Sequence, residues 1–328
     1  MTSRYASVHE SANGPGDSRP TAIQIIKDEQ LEGKLAGQTA LVTGCSSGIG
    51  TETARALYLT GATLYLTARD LDKAKAALGD MITSDRVHLL ELELESLASV
   101  RACATQFLYA KKPLNILICN AGVMNPPEGR TKDGFETQFG TNHLGHFLLF
   151  NLLQPALLAG STPEKASRVV VVSSVAHRFG EVHFDNINFE NNYEPMAAYA
   201  QSKTANLWTA NEIDRMYGSQ GIRAWSLQPG AVITDLPRHL PESQKEALWG
   251  DPYLSKVAKT PEQGAATSVW AATAVSLEGL GGKYLENCQI IGPWEASTGI
   301  WGPGYGAHAY DAEKANKLWE KSLEWVGL

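Results

Sequence analysis

The chain has 328 residues, of which 43% are hydrophobic and 19% are charged, and its net charge is −7. This length and balance are typical of a globular protein with one large domain or two small ones. An acidic chain without a run of Lys or Arg argues against nucleic acid or an anionic membrane as the main partner.

The cysteine pattern and the start of the chain favour a cytoplasmic protein without a membrane span. The four cysteines are scattered without a CxxC pair, which fits a reduced compartment. No run approaches the ~18 apolar residues that cross a bilayer, and no secretory signal precedes residue 20. Residues 1–20 are rich in Ser, Gly and Pro, and we predict a disordered tail there. Residues 21–328 then form a single domain.

From residue 38 onward, apolar runs alternate with segments of helical period, as in successive βαβ units. The predicted strands are Gln38–Val42, Thr63–Thr67, Val87–Leu92, Leu114–Cys119, Arg168–Ser173, Arg223–Leu227 and Gly282–Leu285. The first predicted helix follows the turn after the first strand and ends at about Thr60. The other predicted helices are Asp72–Leu78, Leu97–Tyr109, Lys132–Leu158, Ala197–Tyr217 and Asp311–Val326. The sequence therefore predicts an α/β fold: a single Rossmann-type, doubly wound parallel sheet of about seven strands, flanked by helices.

Residues 235–262 break this alternation with four prolines and scattered aromatic residues, and we interpret them as a substrate lobe or lid. Apolar side chains from this segment and beyond either line a substrate pocket or belong to the core: Leu236, Leu240, Leu248, Trp249, Tyr253, Leu254, Trp294 and Trp301. The Gly- and Trp-rich stretch 292–310 is left unassigned.

A glycine-rich turn joins the first strand to the first helix of the sheet. It contains Gly44, Ser46, Ser47, Gly48, Ile49 and Gly50, with the spacing G-x-x-x-G-x-G. Glycines allow close approach of a pyrophosphate, and the following helix N-terminus offers free N–H groups. The alternative is a glycine turn of another α/β protein.

The segment Thr43–Gly50, TGCSSGIG, resembles the TGxxxGIG turn of the short-chain dehydrogenase/reductase family. The resemblance extends over residues 39–234 through Asn120-Ala121-Gly122, Tyr199 with Lys203, and Pro229-Gly230. Three further segments resemble the retinol dehydrogenase/WW-domain oxidoreductase branch: Asn142–Phe147, Val171–His177 and Phe184–Phe189.

Tyr199 and Lys203 are four residues apart, which places them on one face of a helix. A free tyrosine titrates near ~10, and a nearby ammonium would lower this pKa. The resemblance implies that Tyr199 is the acid/base and that Lys203 lowers its pKa and holds the nicotinamide ribose. It also implies that Ser174, with Ser173 as the competitor, binds the substrate oxygen, and that the backbone of Asn142 holds a lysine-linked water.

Three histidines, His143, His146 and His177, lack the spacing of a metal site. We interpret them as packed or capping residues and predict no metal.

The cofactor preference depends on Arg69 and Asp70, which end the second strand about 20 residues past the glycines. An Arg there accommodates the 2′-phosphate of NADP, whereas an acidic residue binds the ribose 2′-OH of NAD. We predict NADP(H), with NAD(H) through Asp70 as the alternative; Asp70 could also cap the next helix. The resemblance further implies cofactor contacts from Glu93, Leu94, Asn120, Ala121, Gly122, Pro229, Gly230, Val232 and Thr234.

The sequence therefore predicts an NADP(H)-dependent oxidoreductase that moves a hydride between nicotinamide and a carbonyl or alcohol carbon of a lipophilic small molecule. A non-redox, cofactor-binding regulatory protein is one alternative, and an isomerase or cyclase on the same scaffold is another. A homo-oligomer could form through Phe147, Leu148, Phe150 and Trp208, which could equally face inward.

Overall fold

The computed structural model describes residues 4–328 and contains one eight-stranded sheet. Its strands are β1 (Thr39–Thr43), β2 (Thr63–Ala68), β3 (Val87–Glu91), β4 (Ile116–Cys119), β5 (Ser167–Val172), β6 (Ile222–Gln228), β7 (Lys283–Glu286) and β8 (Gln289–Ile290). The order is β3-β2-β1-β4-β5-β6-β7-β8, and only the β7–β8 pair is antiparallel. The predicted doubly wound parallel sheet is confirmed, with one short strand added at the edge.

Helices cover both faces of the sheet, as parallel crossovers require. They are α1 (Ala6–Glu10), α2 (Ala22–Asp28), α3 (Gly48–Leu59), α4 (Leu71–Leu78), α5 (Leu97–Tyr109), α6 (Thr137–Phe139), α7 (Gly145–Gly160), α8 (Pro195–Tyr217), α9 (Glu242–Gly250), α10 (Pro252–Val257), α11 (Pro261–Gly264), α12 (Ala266–Thr273) and α13 (Ala312–Val326). A core lies on each face of the sheet, with Trp208 fully buried in one and Trp225 in the other. Strands such as β5 are buried along their whole length, which explains their continuous apolar sequence.

The strand order reverses between β1 and β4, so the crossovers that leave these two strands lie on opposite faces of the sheet. Such a switch point opens a crevice beyond the carboxyl ends of the strands, where ligands of doubly wound folds bind. The glycine turn follows β1 and Asn120 follows β4, so the fold brings both motifs to this crevice.

The helix predicted over Lys132–Leu158 begins later than expected. Residues 132–135 are turn residues, and Glu136 accepts hydrogen bonds from the backbone N–H groups of Gln138 and Phe139 at the start of α6. A π-helical turn, Gly140–Leu144, joins α6 to α7 and carries Asn142. Inserted π turns are frequent at functional sites because they redirect backbone groups.

The prediction of a disordered tail is wrong for residues 4–20; residues 1–3 lie outside the described part of the chain. Tyr5 and Ala12 are buried, and Arg19 is 3% exposed. Arg19 donates hydrogen bonds to the carbonyls of Val257 and Ala258, each at 2.6 Å. The prediction failed because amino-acid composition carries no information about a long-range hydrogen bond such as those of Arg19.

The segment 235–262 contributes no strand to the sheet and folds into α9, α10 and a short 3-10 helix, Leu236–His239. Residues 292–310, which the sequence left unassigned, form a loop that contains two short 3-10 helices, Ala296–Thr298 and Ala307–Tyr310. Arg178 holds this loop by donating to the carbonyls of Ile300 and Gly302.

The C-terminal helix α13 covers α7 and α8. Trp319 of α13 contacts Phe147 and Phe150 edge-on, with ring centroids 4.9 and 6.1 Å apart. Phe147, Leu148, Phe150 and Trp208 are all buried within the core of this chain. The inward orientation left open by the sequence is therefore the one observed. Within residues 4–328, no helix is long and apolar enough to cross a membrane.

The three histidines from the sequence motifs are buried and hydrogen-bonded. Burial lowers the pKa of His143 to about 3 and the pKa values of His146 and His177 to about 4. His143 contacts Ser322 of α13 at 2.8 Å, which ties the C-terminal helix to the π turn. These side chains are neutral in the folded protein at neutral pH.

We expect the protein to lose stability as the pH falls from 7 to 5. The unfolded chain binds protons at these histidines near ~6.5, whereas the folded chain does not until about pH 4, so each costs about 1–2 kcal/mol by pH 5. Urea unfolding at pH 7, 6 and 5 measures this slope. His143→Gln should make the slope shallower, whereas replacing the exposed His88 with Gln should not; an unchanged free energy of unfolding at pH 5 would contradict the assignment.

Candidate active site

A cavity of about 1240 Å³ opens at the carboxyl ends of the strands. All the residues predicted to contact the cofactor line it: Gly44, Ser46, Ser47, Gly48, Ile49, Gly50, Arg69, Glu93, Leu94, Asn120, Ala121, Gly122, Tyr199, Lys203, Pro229, Gly230, Val232 and Thr234. Ser174 lines it as well, whereas Asn142 lies behind the wall. The fold thus brings five separate sequence motifs to one enclosed space.

The glycine turn is packed so tightly that side chains are excluded. A Cβ on Gly50 would lie 2.0 Å from the carbonyl oxygen of Gly44 and 2.7 Å from the side-chain nitrogen Nδ2 of Asn120. Gly44 has φ +77° and Gly48 has φ +60°, a backbone region that favours glycine. The turn therefore leaves its backbone and the N-terminus of α3 facing the cavity, which suits a pyrophosphate.

The hydroxyl of Thr43, at the end of β1, connects this turn to the next strand. It accepts hydrogen bonds from the backbone N–H groups of Asn120 (2.9 Å) and Ala121 (3.0 Å). It also lies 2.9 Å from Nε2 of His146, whose Nδ1 donates to the carbonyl of Asn142 at 2.9 Å. Because the neutral imidazole donates through Nδ1, its Nε2 accepts the Thr43 proton. The sequence reasoning missed this role of His146, although its i+4 position from Asn142 is a usable signal.

Asn142 is the only predicted catalytic residue outside the cavity lining, and its side chain fixes two neighbouring segments. Its amide oxygen accepts from the N–H of Val123 at 2.8 Å, and its amide nitrogen donates to Oγ of Ser202 at 2.9 Å. A Cβ on Gly122 would lie 3.1 Å from Asn142 and 3.5 Å from the ammonium of Lys203. Asn142 is therefore placed to orient the surroundings of Lys203, while its backbone carbonyl is held by His146.

Tyr199 and Lys203 lie on α8, with the ammonium nitrogen 5.5 Å from the centre of the tyrosine ring. Ser174, the second residue after β5, hydrogen-bonds to the Tyr199 side chain. Ser173 points elsewhere, because its hydroxyl donates to the carbonyl of Lys203 at 2.7 Å. The geometry therefore favours Ser174 over Ser173 at the reacting position, despite the 25 residues that separate Ser174 from Tyr199 in the sequence.

The expected lowering of the Tyr199 pKa is wrong for this structure. Burial raises the pKa of Tyr199 to about 12, and the hydrogen bond with Ser174 opposes this only in part. Burial also lowers the pKa of Lys203 to about 8. The ammonium donates to the carbonyl of Val172 at 3.1 Å rather than to the phenol oxygen. At neutral pH the arrangement holds a neutral phenol beside a cation.

Two basic side chains, Arg69 directly after β2 and Lys73 in α4, line one end of the cavity. The side chain of Arg69 is 67% exposed, and its guanidinium group lies 3.7 Å from the carboxylate of Glu95. Asp70 caps α4 by accepting from the N–H of Lys73 at 2.9 Å, which is the capping role left open by the sequence. Glu93 reaches the cavity and pairs with Lys132.

The other end of the cavity is walled by the lobe. Its predicted apolar residues line the cavity as a group: Leu236, Leu240, Leu248, Trp249, Tyr253, Leu254 and Trp301. Trp294 does not; it packs against the guanidinium of Arg178, 5.1 Å away. Two buried charged residues that the sequence reasoning missed, Lys259 and Glu286, also line this region. Isolated charges in loops and at strand ends carry no pattern by which sequence alone would find them.

Comparison with known proteins places this geometry in a family. The short chain dehydrogenase family profile matches residues 38–245, which contain the glycine turn, Ser174, Tyr199 and Lys203. The chain belongs to the short-chain dehydrogenase/reductase family. Among residues 4–328, no group of three His, Cys, Asp or Glu side chains is arranged to hold a metal ion.

Curated relatives place the chain in a retinol dehydrogenase-like branch of the short-chain dehydrogenases/reductases. It is 48% identical to the short-chain dehydrogenase/reductase prx1 of Penicillium roqueforti, over 99% of this chain and 95% of that protein. It is 38% identical to human retinol dehydrogenase 11, over 90% of this chain and 87% of that protein. The similarity to prx1 includes the N-terminal segment, because it spans nearly the whole length of both chains.

Solved structures of the family share the fold. A protein from Mycobacterium paratuberculosis is 31% identical, with a TM-score of 0.66 over 96% of this chain and 98% of that chain. The Pseudomonas aeruginosa RhlG/NADP active-site complex is 25% identical, with a TM-score of 0.62 over 76% of this chain and 94% of that chain.

We expect Gly50→Ala to weaken nicotinamide nucleotide binding at least tenfold, a loss of ~1.4 kcal/mol. The added methyl group would lie 2.0 Å from the Gly44 carbonyl and force the turn apart. Tryptophan fluorescence titration with NADPH measures the affinity. Gly250→Ala is the matched control, because a Cβ there meets nothing within 4 Å. Equal affinities of Gly50→Ala and wild type would show that the turn does not cradle the nucleotide.

Proposed function

We propose that this chain is an NADP(H)-dependent oxidoreductase that reduces the carbonyl group of a lipophilic small molecule, with Tyr199 as the proton donor. One observation carries the proposal: Ser174, Tyr199 and Lys203 meet in the same cavity as the glycine turn. A binding protein without chemistry would have no need for a buried phenol, serine and ammonium at that position. The hydrogen bond between Ser174 and Tyr199 leaves both groups facing one substrate oxygen.

The residues at both ends of the cavity fit a bound NADP(H). The glycine turn offers backbone N–H groups to a pyrophosphate, and Arg69 offers an exposed guanidinium to a 2′-phosphate. Asp70 is less suited to a ribose hydroxyl, because one of its oxygens already caps α4. Lys203 and Tyr199 line the same cavity, where Lys203 would bind the nicotinamide ribose. A bound nicotinamide would supply the hydride, which no side chain can provide.

The raised pKa of Tyr199 supports the reductive direction. A phenol with a pKa of about 12 is protonated at neutral pH and is therefore ready to donate its Oη proton to a carbonyl oxygen. Ser174 would donate a second hydrogen bond to the same oxygen. The phenolate left behind would be stabilised by the nearby Lys203 cation, which burial keeps away from competing water.

The apolar lobe supports a lipophilic substrate. Leu236, Leu248 and Trp249 line the same cavity as the catalytic side chains, as does Met196 at the start of α8. Burial of apolar substrate surface against such residues contributes roughly 25 cal/mol per Å². We propose a medium or large ketone or aldehyde as the substrate class.

We expect Tyr199→Phe to lower the rate of carbonyl reduction about 10²–10⁴-fold while leaving NADPH affinity within a factor of two. The phenylalanine keeps the ring and removes only the proton donor. NADPH oxidation with a panel of lipophilic ketones and aldehydes measures the rate. Tyr65→Phe removes a hydroxyl from a core tyrosine on β2 and should retain full activity. Undiminished reduction by Tyr199→Phe would exclude Tyr199 as the acid.

We expect Arg69→Asp to weaken NADPH binding at least tenfold, because the 2′-phosphate loses a charge-assisted partner and gains a repulsive one. NADH affinity should stay constant or rise, which provides the internal control. The eight tryptophans allow both titrations by fluorescence. Tighter binding of NADH than of NADPH by the wild-type protein would instead assign the ribose contact to Asp70.

A further inference from the structure

Lys259 is a buried lysine in the wall of the cavity, and its backbone is joined to the loop that follows β6. It is 2% exposed and forms a bridge with Val232. The N–H of Lys259 donates to the carbonyl of Ala231 at 2.8 Å, and the N–H of Ile233 donates to the carbonyl of Lys259 at 3.0 Å. Two backbone hydrogen bonds therefore fix Lys259 to the loop that contains Pro229 and Gly230.

The side chain of Lys259 turns back beneath the same loop. Its ammonium donates to the carbonyl of Pro229 at 3.0 Å and to Oδ1 of Asn287 at 2.8 Å. Asn287 belongs to the turn between β7 and β8 and has φ +54°. One buried cation thus connects the ends of two adjacent strands, β6 and β7.

The Lys259 side chain packs closely against Gly230. Gly230 has φ +102°, and a Cβ there would lie 3.0 Å from the Lys259 nitrogen and 3.1 Å from its Cε. The lysine therefore supports Gly230 directly from below. An uncharged side chain of the same length would deprive the loop of its hydrogen-bond donor, and a shorter one would also remove the packing against Gly230.

Lys259 is itself held in place by the N-terminal segment. Arg19 donates to the carbonyls of Val257 and Ala258, the two residues immediately before Lys259. The Arg19 side chain is fixed in turn by a salt bridge to Asp17 at 2.8 Å. The segment that sequence composition assigned to a disordered tail therefore determines where Lys259 lies.

We propose that Lys259 is a positioning residue for the nicotinamide end of bound NADP(H), holding the Pro229–Gly230 loop against the cofactor, with Arg19 as its anchor. This inference rests on the proposed function, because it takes the Pro229–Gly230 side of the cavity as the nicotinamide end. The adenosine end, with Arg69, lies beyond the glycine turn and has no contact with Lys259. Loss of the lysine should thus affect one half of the dinucleotide and spare the other.

Two probes separate the halves: NADPH, and adenosine 2′,5′-bisphosphate, which lacks the nicotinamide. For Lys259→Met we expect the Kd for NADPH to rise about tenfold, ~1.4 kcal/mol, and the Kd for the bisphosphate to stay within a factor of two. Asn287→Gly removes one partner of the ammonium while tolerating the positive φ, and it should produce a smaller change of the same kind. Its effect should not add to that of Lys259→Met in the double variant, because both remove one contact.

The control is Lys165→Met, which removes a half-buried lysine that contacts Gln38 beside the amino ends of β1 and β5 and should change neither Kd. Unchanged NADPH affinity in Lys259→Met, or equal weakening of both probes, would overturn the inference. If Lys259→Met does not fold, Asn287→Gly and Arg19→Lys carry the same test. Failure of the wild-type protein to bind NADPH would instead overturn the proposed function itself.

Discussion

The rest of the site depends on the hydrogen bonds made by the hydroxyl of Thr43. It accepts hydrogen bonds from two backbone N–H groups in the segment after β4, and it contacts His146 of α7. A single oxygen thereby fixes the crevice between β1 and β4 at the point where the strand order reverses. His146 must be neutral in this arrangement, because one of its ring nitrogens donates a hydrogen bond and the other accepts one. Its burial, which lowers its pKa to about 4, keeps it so.

The buried charges of the site reduce the folding stability of the protein. Lys203 and Lys259 are both almost fully buried, and burial lowers the pKa of each to about 8. Keeping one such lysine charged at neutral pH costs about 3 kcal/mol relative to an exposed lysine, because each pKa unit corresponds to ~1.4 kcal/mol. Backbone carbonyls at the ends of β5 and β6 offset part of this cost by accepting hydrogen bonds from the two ammonium groups. Both charges therefore serve the cavity, and their burial there lowers the folding stability.

The two termini of the chain serve the site in different ways. The N-terminal segment reaches the cavity wall through Arg19 and the carbonyls before Lys259. The C-terminal helix covers α7 and α8, the helices that adjoin Asn142 and carry Tyr199, and it contacts the π turn through His143 and Ser322. The N-terminal segment therefore stabilises the cavity wall, and the C-terminal helix stabilises the helices around the catalytic side chains.

The sequence by itself determined the architecture and most of the candidate site, because local patterns encode them. Apolar runs with intervening helical periods predict a parallel sheet, and motifs directly after strands must meet at its carboxyl edge. The tertiary structure alone decided that residues 4–20 are ordered, that Lys259 and Glu286 reach the cavity, and that Ser174 rather than Ser173 faces Tyr199. It also reversed the expected direction of the Tyr199 pKa shift. Each of these depends on burial or on contacts between residues far apart in the chain, and no local pattern records such quantities.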